Sequence, residues 1–256
     1  MRHAARVFVS TVCCLTAVSA TFVNPLASNT EPTQATIFEH KLNTRVARFD
    51  TSGRTLVTSL IDLAYEYELP MGIEYLDRKA ATQPINLELG NESVRGILLA
   101  FIQQVPEYKV SFSDGVVDVY APKAREDSSN LLNKVIKNFA VSELDTRRAD
   151  VGLLCALTRE VMPSGGCGGS IAIGQWGPLK ITVHVQNARV YEIVNLIVAQ
   201  NGKAVWTVMA PPEKLSKIPV GGLWHIYPIE PPFKSAVLDK LASLAQRQPA
   251  RTFLTC

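Results

Sequence analysis

The chain has 256 residues, 47% of them hydrophobic and 19% charged, with a net charge of +3. That length supports one or two domains with real cores, and the composition excludes a long disordered block. Losing Arg2 and Arg6 with a leader segment lowers the charge from +3 to +1, which excludes an electrostatic case for nucleic acid or an anionic membrane surface.

In chain order, Arg2 and Arg6 form a short basic region before an apolar run over 7–18, and Val18-Ser-Ala20 supplies a small-residue cleavage pattern. Residues 1–20 therefore read as an export signal. The run is short for a bilayer span, so cleavage is expected, leaving a periplasmic or secreted chain with no integral membrane span. Cys13 and Cys14 lack the Leu-small-small context of lipidation and read as apolar filler of the discarded segment. Residues 21–44, polar and containing Pro, Thr and Asn, read as a linker.

The first module, 45–122, opens on an alternating strand over 46–50. Ser52 is placed to cap a helix whose Leu56, Val57, Leu60, Ile61, Ala64 and Tyr67 keep a 3-to-4 spacing, ended by Pro70. Residues 71–76 and the alternating Ile85, Leu87 and Leu89 predict two more strands. A second helix carries Val94, Ile97, Leu98, Phe101 and Ile102 and stops at Pro106. Tyr108, Val110 and Phe112 then lead into Asp114-Gly115, a two-residue hairpin signal, with the return strand over 116–120.

Residues 123–134 turn polar and mark a second linker. The second module, 135–230, repeats the order: a strand over 135–141, a helix over 149–162, a Gly-rich turn over 164–170 and a short strand over 171–173. Ile181, Val183 and Val185 follow as a strand, and Val190, Ile193, Val194, Ile197 and Val198 as a helix capped by Gly202. Ala204, Trp206 and Val208 open the last pair, closed over 223–229 after a long connection. Beyond Pro231-Pro232, the spacing of Val237, Leu238, Leu241 and Leu244 marks a C-terminal amphipathic helix and tail, 231–256.

The two modules share a phrase. Ile85-Asn-Leu-Glu-Leu-Gly-Asn91-Glu-Ser-Val94-Arg-Gly-Ile97 returns as Ile181-Thr-Val-His-Val-Gln-Asn187-Ala-Arg-Val190-Tyr-Glu-Ile193, at a constant offset of 96 residues. A unit of that length is a small domain. Alternating strands with one apolar stripe per helix predict an α+β fold. The expected arrangement is two tandem β-α-β-β-α-β-β modules, helices packed on one side of a small sheet, plus the C-terminal helix.

An opening strand, a helix ending near Leu69-Pro-Met-Gly-Ile-Glu-Tyr75, and the phrase Ile85 to Val94 resemble the short N-terminal domain of secretins and TonB-dependent receptors. The resemblance covers residues 45–122 well and 135–230 weakly. It implies a periplasmic interaction domain of two βαβ units that acts as a gasket, signalling contact or assembly element. It carries over no catalytic residue. About one helix remains after residue 230, whereas the smallest outer-membrane barrel needs eight strands of roughly 9–11 residues; the expectation is a pair of such domains without the barrel.

Among chemistry-bearing residues, Cys155 and Cys167 form the sharpest pair. Exported cysteines meet an oxidising compartment. Five residues separate Met162 from Cys167, a reach of ~16 Å when extended, against ~10 Å back along the helix to Cys155. The surrounding glycines let the chain double back, so a Cys155–Cys167 disulfide is expected. The competing readings are a buried free Cys155 with an exposed Cys167, and a catalytic thiol. The latter needs a neighbouring His, and neither His184, facing away from Ile181, Val183 and Val185, nor His225 is placed beside a cysteine. No CxxC or HxxxH occurs, so no metal site and no cofactor are expected. The Gly-rich stretch lacks the Lys-Ser/Thr ending of a phosphate loop. Glu66, Glu68 and Glu74 read as a solvated helix edge and strand face, Trp206 as core, and Trp176, in a connecting turn, as a candidate contact residue. Cys256 reads as an unpaired thiol or an intermolecular link.

These readings converge on an exported, non-enzymatic protein-interaction module of the cell envelope, whose partner is an envelope or secretion-system protein. The alternative is a small-ligand or polysaccharide-binding periplasmic protein using the groove between the modules.

Overall fold

The computed structural model describes residues 33–74, 84–163, 179–208 and 224–228. The expected leader, Gly-rich turn with Cys167, strand over 171–173, long last connection and C-terminal helix, together with Trp176 and Cys256, lie outside the described residues. The fold is α+β.

The first half runs α1 (Gln34–Asn43), β1 (Arg45–Asp50), α2 (Leu56–Glu66), β2 (Met71–Ile73), β3 (Glu88–Ser93), α3 (Val94–Gln104), β4 (Lys109–Ser113) and β5 (Val116–Tyr120). A short helix α4 (Pro122–Glu126) and a 3-10 turn (Leu131–Asn133) connect it to the second half. That half comprises β6 (Val135–Leu144), α5 (Thr146–Val161), β7 (Ile181–Arg189), α6 (Val190–Asn201), β8 (Ala204–Val208) and β9 (Trp224–Pro228).

Both stretches expected as linkers contain structure. In 21–44, Thr33 caps α1 by accepting from the Thr36 N–H, and the helix buries Phe38 and Leu42, four residues apart on one face. In 123–134, α4 and the 3-10 turn bury Ala124, Asn130 and Leu132. Two apolar residues per segment are too few to stand out against polar neighbours, yet they suffice once a core is present to receive them. The expected cap of α2 also moves. Ser52 sits in a turn at φ +48°, its N–H and hydroxyl both on the Asp50 carboxylate, and Thr55 caps the helix instead.

The repeat survives in three dimensions. β1 pairs antiparallel with β3, and β6 with β7, in the same register: Val46 opposes Glu92 and Phe49 opposes Leu89, as Ile136 opposes Ala188 and Phe139 opposes Val185. Each strand runs past its Asn instead of ending there. Asn91 and Asn187 sit inside β3 and β7 at φ +50° and +52°, a left-handed conformation that Asn tolerates better than most residues. Each following helix starts on an equivalent bond, from the Val94 N–H to the Thr44 carbonyl (3.1 Å) and from the Val190 N–H to that of Lys134 (3.0 Å). The Asp114-Gly115 turn has positive φ at both residues, as its hairpin requires.

The halves do not keep separate sheets. One five-stranded sheet runs β4-β5-β2-β8-β9, with β2 parallel to β5 on one side and to β8 on the other. Alternation along its central strands feeds two cores on opposite faces. Met71, Ile73, Val117, Val119 and Val205 enter the core built on α2 and α3, while Val116, Ala204, Trp206 and Val208 enter the core built on α5 and α6. Each half thus has its helices on one side of the sheet, and the two sides are opposite. Both faces being covered, β2 and β8 are buried at every position, which is why neither carries a charged residue.

Gly72 marks the tightest point of this join. A Cβ at this position would stand 2.4 Å from Trp206 Nε1 and 2.9 Å from Asn195 Oδ1. Gly72→Ala is therefore expected to destabilise the protein by ~1–3 kcal/mol in urea unfolding followed by circular dichroism. Gly90→Ala, where the nearest atom is 3.9 Å away, is expected to leave the midpoint in place. For the repeat, Asn187→Val is expected to cost about 1–2 kcal/mol and Asn187→Gly much less. Equal effects of the two would remove the backbone explanation of the paired asparagines.

Candidate functional site

Cys155 lies on α5 and is disulfide-bonded; Cys167, its expected partner, lies outside the described residues, as does Trp176. His184 is on the exposed face of β7, where Ser142 Oγ lies 3.0 Å from its Nε2. Trp206 is fully buried and donates from Nε1 to Asn195 Oδ1 at 2.7 Å. Of the three glutamates read as solvated, Glu66 and Glu68 are exposed. Glu74 is not: it follows β2 directly, its N–H bonds to the Val119 carbonyl, and its side chain is 1% exposed.

Glu74 is buried because Arg125 meets it there. On the α6 side of the central sheet, Glu74 and Asp118, from neighbouring strands, converge on the guanidinium of Arg125 on α4. Nε donates to Glu74 Oε1 at 2.6 Å and an η nitrogen to Asp118 Oδ2 at 2.6 Å. The rings of Tyr120 and Tyr191 lie over the same guanidinium, 4.3 and 3.5 Å from its carbon to their centres. Burial pushes the Glu74 carboxyl up to about 7, against the pull of Arg125. Burial also raises Asp118, opposed by Arg125 and more weakly by Asn195. For Arg125 burial works against the charge, but the two carboxylates outweigh it and hold the guanidinium above its usual range. A cluster this enclosed binds its own side chains rather than a substrate. Its place is structural: it fastens the connecting segment to the sheet and, through Tyr191, to α6. The sequence signal was an acidic residue against each of two apolar runs, Gly-Ile-Glu74 and Val-Val-Asp118-Val.

A surface groove lies elsewhere, between α1, the β4–β5 turn, Leu179 and the C-terminal end of α6. Its volume is about 510 Å³, within the range of roughly 300–1,000 Å³ usual for binding clefts. Phe38, Phe112 and Ala199 contribute apolar lining, and Ile37 and Leu179 stand at the mouth 42% and 47% exposed. One end is polar. Lys41 Nζ donates to the Glu68 carbonyl at 2.6 Å, and Lys203 Nζ lies 3.0 Å from Glu68 Oε1. Burial lowers the Lys41 pKa, which Glu68 partly restores. Cap signals place these parts: Thr33 starts α1, and Gly202, at φ +69°, ends α6 so that Lys203 turns toward Glu68.

Among the described residues, no three His, Cys, Asp or Glu side chains are grouped to hold a metal, and no helix is long and apolar enough to cross a membrane. The buried cluster makes a direct stability prediction. Arg125→Met strands two buried carboxyls and is expected to cost ~3–5 kcal/mol at neutral pH. Arg48→Met, which breaks a pair whose side chains are 72% and 69% exposed, is expected to change stability by less than about 1 kcal/mol. Urea titrations of both variants check the contrast, and equal losses would refute it.

Comparison with protein-family models, with curated proteins and with solved structures finds no match, which leaves the geometry above to carry the functional reading.

Proposed function

We propose that this chain is an exported, non-enzymatic module of the cell envelope that binds another protein, and that the groove beside α1 is its contact surface. The observation that carries this reading is the pair of large aliphatic side chains, Ile37 and Leu179, held half-exposed at the mouth of an apolar groove. Neighbouring exposed aliphatic residues at a concave site are a common mark of protein contact. The resemblance to the N-terminal domain of secretins and TonB-dependent receptors points the same way. The surrounding frame supports it too, since the groove walls come from both halves of a molecule joined by one sheet.

About half of each side chain remains to be buried, so seating both contributes ~2 kcal/mol, roughly a thirtyfold change in affinity. A photoreactive amino acid in place of Ile37 is expected to capture a distinct envelope protein in intact cells. Adding Leu179→Asp is expected to reduce that capture at least fivefold. Persistence of the same product at full yield would place the contact elsewhere.

A second reading is favoured by the groove volume, which suits a small ligand or a short saccharide held between an apolar floor and the Lys41–Glu68–Lys203 end. Recovery of only the chain itself from the crosslinking experiment, with a rise in thermal midpoint on adding envelope saccharides, would replace the first reading with this one.

A further inference from the structure

Two carboxyl groups share one guanidinium at the buried cluster, where the Glu74 and Asp118 side chains are 1% and 5% exposed. With both ionised, the cluster holds one negative charge that Arg125 does not balance. Folded proteins relieve such a charge by taking up a proton. The structure also provides a place for it: Glu74 Oε2 is buried without a hydrogen-bond partner. The described groups facing the cluster from the surrounding elements are Arg125 from α4, Tyr120 from β5, and Tyr191 and Asn195 from α6. Asn195 accepts from Trp206 Nε1 of β8 on its Oδ1, and its side chain also hydrogen-bonds Asp118, while the Tyr191 hydroxyl donates to Glu192. None of these adds a second cation. Lys123 and Glu126, also on α4, are exposed.

We propose that Glu74, Arg125 and Asp118 form an acid-tightened latch: a single proton held by the two carboxyls closes the cluster on the connecting segment 122–133, and its loss toward neutral pH loosens that segment from the central sheet.

The direction follows from linkage. The latched Glu74 carboxyl stands at about 7, against an ordinary value of 4.5 that it regains when the segment opens to water. The closed form therefore holds more protons between those values. Its added stability is complete below 4.5, is lost as the pH rises through about 7, and is level above that. Across the window the opening equilibrium rises by up to roughly tenfold per pH unit.

Amide hydrogen exchange on the whole mature protein between pH 5 and 8, with intrinsic rates divided out, tests this. The Arg125 amide bonds the Ala121 carbonyl, and those of Leu132 and Asn133 bond Asn130; the three act as reporters. Their protection is expected to fall by up to tenfold per unit from pH 5 to 7 and then level off, while amides in α3 stay constant. Glu74→Gln, which copies the protonated carboxyl, is expected to remove the fall and hold protection near its acidic value. Asp118→Asn is expected to flatten the profile in the same way, which keeps the test open if the first variant does not fold. Flat protection in the wild type, an equal fall in α3, or an unchanged slope in both variants would each overturn the latch.

Discussion

Met71–Ile73 pairs with β5 from its own half and with β8 from the other, and it does so in parallel on both sides. A strand so placed has no solvent face and no free edge, so its residues are dictated by what stands above and below. Met71 and Ile73 fill one core. Gly72 leaves room on the opposite face for the indole of Trp206. Larger side chains at that point would force the two halves apart, and the common sheet would split where it is narrowest.

The buried ionic cluster extends the same join. β2 ends at Ile73, Glu74 follows, and Arg125 reaches it from the segment that carries the chain across to β6. Stacking between Tyr120 and Tyr191 gives the guanidinium one ring from each half. Apolar side chains of similar volume would fill this space at lower electrostatic cost. What the charged group adds is geometric discrimination, because its donors accept only one arrangement of the two carboxyls.

Much of this architecture was legible in the sequence, and the failures have physical causes. The repeat at Asn91 and Asn187 announced two similar halves, and their common register and matching backbone dihedrals give that repetition a reason. Asp114-Gly115 and Gly202 announced their turns because each needs positive φ. The α+β class followed from alternation and helical spacing. The joint sheet was not legible: a pattern of apolar residues shows that β2 is buried, but not which distant strand covers its edge. Arg125 was hidden for a related reason. Its charge made the surrounding segment look like solvated linker, whereas its partners sit at the end of one largely apolar strand and inside another. The groove depended on α1, whose two buried residues are a weak signal in a polar stretch.

The parallel pairing of Met71 with Val205 has a kinetic consequence. A chain delivered N-terminus first has β2 available long before β8, roughly half the sequence later, has been supplied. Until then the first half carries a wholly apolar strand with one edge open, the kind of surface on which chains associate wrongly. Closing so long a loop is also slow. The two halves therefore cannot mature one after the other like beads on a string; the first remains a half-finished object, waiting on the second, throughout the time it takes to emerge.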